Sequence, residues 1–209
     1  MKTTQILMDE HRVIEQVLDC LERMAAQAER DRNLPIAPAR DAIEFFRHFA
    51  DHCHHAKEEN QLFPLLESKG FSPESGPTAV MRFEHTQGRE HVGAMSAAID
   101  AAERGEPAAV DQFTRNAKGY IELLRNHINK EDHCLFPMAD QALTDADDEA
   151  LLAAFEHVEH VDIGAGCHEK YVRLADQLAE TYGVTRATAP LARTELAGTC
   201  PHHAKPIGV

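Results

Sequence analysis

Two segments of the chain share one arrangement of potential metal ligands. His54-His55-Ala56-Lys57-Glu58-Glu59-Asn60-Gln61-Leu62-Phe63-Pro64 and His127-Ile128-Asn129-Lys130-Glu131-Asp132-His133-Cys134-Leu135-Phe136-Pro137 both read His-x-x-Lys-Glu-x-x-x-Leu-Phe-Pro. A His and a Glu four residues apart share one helix face, so an imidazole and a carboxylate reach one ion, or one ion and a bridge. In the first segment His55 with Glu59 offers a competing phase, and the Leu-Phe-Pro landmark selects His54 with Glu58. Two single histidines complete the set, His11 in Asp9-Glu10-His11-Arg12 and His85 in Phe83-Glu84-His85-Thr86. His11 precedes His54 by 43 residues and His85 precedes His127 by 42. The chain therefore reads as two similar helix pairs, each giving one His from its first helix and His-x-x-x-Glu from its second.

All six residues fall on apolar stripes. The first helix gives Leu7, His11, Ile14, Leu18 and Leu21; the third gives Met81, His85, Gly88, Val92, Met95 and Ile99. The fourth gives Phe113, Ala117, Tyr120, Leu124, His127, Glu131, Cys134 and Met138, and the second, more loosely, Ile43, Phe46, Ala50, His54, Glu58, Leu62 and Leu65. An unpaired carboxylate in such a core costs several kcal/mol. Two carboxylates with four imidazoles and no thiolate suit iron or manganese better than structural zinc. The symmetry points to two ions bridged by Glu58 and Glu131.

Four long helices position these residues. Periodicity and punctuation place them at about 4–30, 37–69, 78–104 and from Pro107 to about 143, with Gly70 and Gly105 as stops and Pro107 in a first turn. Short loops between them make an antiparallel four-helix bundle. The fold class is all-α, with a C-terminal helical appendage. The expected units are a bundle over 1–143, the appendage over 144–183 and a flexible tail over 184–209. Thr144-Asp145-Ala146-Asp147 caps the appendage, and Gly164 and Gly166 interrupt it. The net charge of −14 excludes a nucleic-acid face and an anionic membrane surface. No apolar run reaches the roughly 20 residues of a membrane span. Asp9 and Glu10 stand where a signal peptide is apolar. Five cysteines without a CxxC pair do not read as a disulfide framework, and a cytoplasmic location is expected.

From about residue 4 to 143, the doubled His-x-x-x-Glu-x-x-x-Leu-Phe-Pro signature resembles the hemerythrin-like, HHE cation-binding family. The resemblance implies that His11, His54, Glu58, His85, His127 and Glu131 bind two non-haem iron ions, oxo- or hydroxo-bridged. It implies binding or sensing of a small oxidant: oxygen, peroxide or nitric oxide. Its alternatives are a peroxide-decomposing or nitrosative-stress repair enzyme, or an iron storage or delivery protein. Oxygen-carrying members have a further His four residues after the third-helix ligand; here Arg89 stands there, which implies an open coordination position and leaves Glu15 or Glu59 as candidate extra ligands. The small oxidant is the expected partner, with a protein partner or second copy docking on the appendage.

His48, His52, His55, His91 and His133 are expected on solvated helix surface, as are His157, His160 and His168 of the appendage. Cys53 and Cys134 are expected as buried small hydrophobes. Tyr120 is expected as a core aromatic, and Gly88 allows either close packing or a pocket. Cys200-Pro201-His202-His203 belongs to the tail.

Overall fold

The computed structural model describes residues 1–187. The described residues fold into six helices, with no strand among them. Helix α1 is Lys2–Asp31, α2 runs over 36–68, α3 is Pro77–Glu103, α4 runs over 109–142, α5 over 145–162, and α6 is Cys167–Tyr182. Helices α1 to α4 form the antiparallel bundle, each packed on its sequence neighbour and α4 closing against α1. The ends follow the local chemistry. Gly70 and Gly105 take left-handed φ values of 104° and 76° just past α2 and α3, a region that favours glycine. No helix among the described residues is long and apolar enough to cross a membrane.

Helix α2 is only partly an α-helix. Phe46–His55 and Glu58–Leu62 are π-helical, and α4 has a matching π segment, Glu131–Leu135. The sequence explains both. Phe46, Ala50, His54, Glu58 and Leu62 recur every four residues, and such a stripe drifts about 40° per step on an α-helix. The wider i→i+5 turn brings it back to one face, and all five are buried. Pro64 and Pro137 then follow two residues after Glu58–Leu62 and Glu131–Leu135. A proline cannot donate to the carbonyl four back and crowds it, so the hydrogen-bond ladder has to shift at these points.

The π turn in α4 also corrects two expected core positions. Beyond Glu131 the buried residues of α4 are Leu135, Phe136 and Ala139, while Cys134 and Met138 are exposed. In α2 the same shift buries Leu66 and leaves Leu65 half-buried.

Apolar side chains gather in two clusters. One contains Leu18, Phe45, Phe49, Met95, Phe113 and Leu124; the other contains Leu7, Leu62, Phe63, Leu135, Phe136 and Phe155. Along every bundle helix the six expected ligands fall between the two, so a polar layer crosses the core. Helix α5 adds Leu151 and Phe155 to the second cluster, and α6 lies against α1 and α2. The start of α5 is fixed by a reciprocal cap. Thr144 Oγ1 accepts from the Asp147 N–H at 3.2 Å, and the Asp147 carboxylate accepts from the Thr144 N–H at 2.8 Å. Thr144→Ala is therefore expected to lower the unfolding free energy by about 1 kcal/mol, read as an earlier midpoint in urea with an unchanged slope. The expected tail from residue 188 onward, including Cys200-Pro201-His202-His203, lies outside the described residues.

Candidate metal centre

The four bundle helices bring His11, His54, Glu58, His85, His127 and Glu131 into one buried layer, each no more than 1% exposed. Their donor atoms form two groups. His11, His54, Glu58 and Glu131 converge in one; His55, Glu58, His85 and His127 converge in the other. Glu58 belongs to both. Glu131 also spans them, its Oε2 lying 3.2 Å from His11 Nε2 and 3.2 Å from His127 Nε2.

His55 corrects the expectation of a solvated surface residue. It is 4% exposed, and its ring stacks on His85 with centroids 3.7 Å apart. The neighbours His54 and His55 point into different groups. Both phases of the His-His-Ala-Lys-Glu-Glu run are thus used, which a strict α-helical reading of one ligand face had ruled out. The matching residue of the second motif is Ile128, also buried, so the two halves are unequal at this position. Of the other histidines, His52 and His133 are exposed and His48 and His91 half-buried.

Each of the four bundle histidines is held from behind by a carboxylate. Nδ1–H of His11 donates to Asp132 at 2.7 Å, that of His54 to Glu10 at 3.0 Å, that of His85 to Glu59 at 2.7 Å and that of His127 to Glu84 at 2.9 Å. A carboxylate here only accepts, so Nδ1 carries a proton and Nε2 faces inward, with a lone pair wherever the ring is neutral. This is the usual support for a metal-bound imidazole. Glu59 is therefore an orienting partner rather than an extra ligand, and Glu15 pairs with Arg12 at 3.1 Å.

Every orienting carboxylate has its own cation. Lys57 pairs with Glu10, Lys130 with Glu84, Arg12 with Asp132, and Arg89 with Glu59 at 2.8 Å. This gives the lysine of the doubled motif its role. Arg89 fills no ligand position. Its guanidinium also binds Asp51 at 2.7 Å, and Asp51 Oδ1 lies 3.4 Å from His55 Nδ1. Arg89 thus clamps two carboxylates that face two histidines of one group. Arg89→Met is expected to weaken metal binding in the His55/His85/His127 group by about 10- to 100-fold and leave the other group unchanged, as measured by competition with a chelator.

The Leu-Phe-Pro landmark also contributes contacts. Phe136 stacks on His11 and Phe63 on His85, at centroid distances of 5.5 and 6.0 Å. Each motif's phenylalanine covers a histidine of the other helix pair. Tyr120 is buried edge-on against Phe46, and a Cβ on Gly88 would meet its ring at 3.4 Å. Gly88 serves close packing rather than a pocket.

The protonation pattern suits a cation. Burial pushes His54 down to about 3 despite Glu10. Burial also lowers His55, and burial with His55 and His127 nearby holds His85 far down. These are neutral imidazoles. Burial opposes charge on His127, but Glu131 and Glu84 lift it to about 9. Burial likewise opposes charge on His11, and Asp132 and Glu131 overcome it. Glu58 is raised by burial and by the neighbouring Glu131 charge; on Glu131 burial is outweighed by His127 and His11, which lower it. A metal would displace the protons of this network.

The residues fit a cation on two further counts. Nine buried side-chain N and O atoms among the described residues lack a hydrogen-bond partner, and all but Thr78 Oγ1 belong to His11, His54, His55, Glu58 and Glu131. The Nε2 atoms of His85 and His127 face each other at 3.0 Å, a separation that needs the His127 proton between them, or a cation in its place. The donor set is imidazole and carboxylate; Cys53 is outside both groups, and burial pushes its thiol up. A third cluster, Glu10, Glu159 and His168, already holds the Lys57 ammonium, which binds both carboxylates.

The hemerythrin HHE cation-binding domain matches residues 2–139. Similar proteins include Uncharacterized protein Mb2018 of Mycobacterium bovis and Uncharacterized protein Rv1995 of Mycobacterium tuberculosis. Each is 25% identical over 178 residues, spanning 85% of this chain and 69% of the relative. No solved structure matches the chain.

Proposed function

Because the chain belongs to the hemerythrin HHE cation-binding family, we propose that its buried layer is a two-iron centre that binds or senses a small oxidant: oxygen, peroxide or nitric oxide. The observation that carries the reading is the set of orphaned donors on His11, His54, His55, Glu58 and Glu131, in a core where an unpartnered carboxylate costs several kcal/mol. His11 and His54 would hold one iron, and His55, His85 and His127 the other. Glu58 and Glu131 would bridge them.

When bound, two ferrous ions each supply one electron to a small oxidant. The chain's own residues set the conditions. Each group offers four side chains, fewer than an octahedral ion takes, as in other non-haem iron sites with open positions. His55 supplies on α2 the third imidazole that Arg89 does not supply on α3. Asp132, Glu10, Glu59 and Glu84 fix the ring tautomers and raise the imidazoles' basicity as ligands. Phe63, Phe136 and the two apolar clusters keep bulk water from the layer.

Adding azide or nitric oxide to the iron-loaded protein tests the reading. A perturbed ultraviolet–visible spectrum at constant iron content supports a small-ligand site. An unchanged spectrum with both irons present contradicts it. Sustained peroxide decomposition would assign an enzyme instead, and rapid loss of iron to a weak chelator a storage or delivery role.

A further inference from the structure

The two halves of the centre have matching supports with different surroundings. Lys130, paired with Glu84 behind His127, is 40% exposed. Its counterpart Lys57, paired with Glu10 behind His54, is fully buried. The C-terminal helices account for the difference. Glu159 of α5 binds Lys57 Nζ at 2.6 Å, the Phe155 ring lies 5.8 Å from it, and His168 Nε2 of α6 lies 3.4 Å from Glu10 Oε1. Cys53, beside His54, packs against Val158, Ile163 and Cys167 of the same segment.

We propose that Glu159 is a positioning residue for His54, acting through Lys57 and Glu10, so that the C-terminal helices govern the His11/His54 half of the centre and not the other half. This assigns a role to a segment that carries no copy of the ligand motif. A buried ammonium needs its counter-charges. With Glu159 present, Lys57 is shared between two carboxylates, and Glu10 keeps one oxygen for Lys57 and the other for His54 Nδ1–H. Without Glu159, the buried Lys57 ammonium is left with Glu10 as its counter-charge. The second half has no such dependence, because solvent reaches Lys130.

The link to metal retention rests on the two-iron reading; the orientation of His54 is tested without metal. In metal-free full-length protein, the His54 Nδ1–H resonance, assigned with His54→Gln, is expected to broaden and exchange faster in Glu159→Ala. It should return in Glu159→Asp, while the His127 resonance stays unchanged. In anaerobically iron-loaded protein, one of two release phases to excess chelator is expected to accelerate about 10- to 100-fold in Glu159→Ala. Thr144→Ala, which weakens α5 without touching Lys57, controls for stability and should leave the two phases in their wild-type ratio. An unchanged His54 resonance, or equal acceleration of both phases, overturns the proposal. A wild-type protein without two irons overturns the two-iron reading instead, and the metal-free resonance still decides the role of Glu159.

Discussion

Glu58→Ala is expected to abolish both metal positions, leaving well under one iron per chain after anaerobic loading and desalting. Glu58 is the residue common to both donor groups, fully buried, with both carboxylate oxygens unpartnered. Its Oε1 lies 3.5 Å from His54 Nε2 and its Oε2 3.5 Å from His85 Nε2. Loss of an orienting partner costs about 10- to 100-fold in metal affinity, and loss of a shared ligand should exceed that at each position. No neighbour can substitute. Glu59 is held by His85 and Arg89. His11→Ala, by contrast, removes a donor from one group and should leave the second iron. The helical circular dichroism of both variants should match the wild type. Two retained irons in Glu58→Ala, with both lost in His11→Ala, would reverse the bridging and terminal roles.

His55→Leu is expected to reduce iron from two per chain to one. The substitution places an apolar residue where the second motif also carries one, Ile128, so packing is largely retained. What is lost is an imidazole with both ring nitrogens unpartnered by hydrogen bonds, stacked on His85 and facing Asp51. Iron analysis and chelator competition read the change. If His55 is merely a packed core histidine, the variant keeps two irons at wild-type affinity, and the second group then lacks its third imidazole. Glu58→Ala and His55→Leu thus separate a shared ligand from a single-site one.

The heptad stripes of α1 and α3 needed no correction, because both helices are α-helical throughout and every stripe residue is buried. The doubled Leu-Phe-Pro landmark placed the two His-x-x-x-Glu pairs in equivalent positions. The failures lie in α2 and α4, where π turns change the angular step. That step brings His54 and His55 inward together, and it exposes Cys134 and Met138. The four-residue repeat from Phe46 to Leu62 was the available signal, and an α-helical count left it as a loose stripe.

The orienting carboxylates were missed for a different reason. Glu10, Glu59, Glu84 and Asp132 sit directly beside ligands in the chain, on a neighbouring helix phase, and each reaches a histidine on another helix. Spacing along one helix cannot show that crossing. The repetition could have. A Glu precedes His11 and His85, and an acidic residue follows Glu58 and Glu131. The engagement of the C-terminal helices with Lys57 had no sequence signal of this kind, because Glu159 and His168 belong to no repeated pattern.

The central claim is that these side chains hold two bridged irons, and iron analysis combined with Mössbauer spectroscopy of the anaerobically loaded, air-oxidised full-length protein tests it most directly. The account predicts close to two irons per chain in two inequivalent environments with coupled spins, reflecting three imidazoles at one ion and two at the other. A protein that takes up a single zinc tightly and no iron, or two uncoupled irons in identical environments, would contradict it.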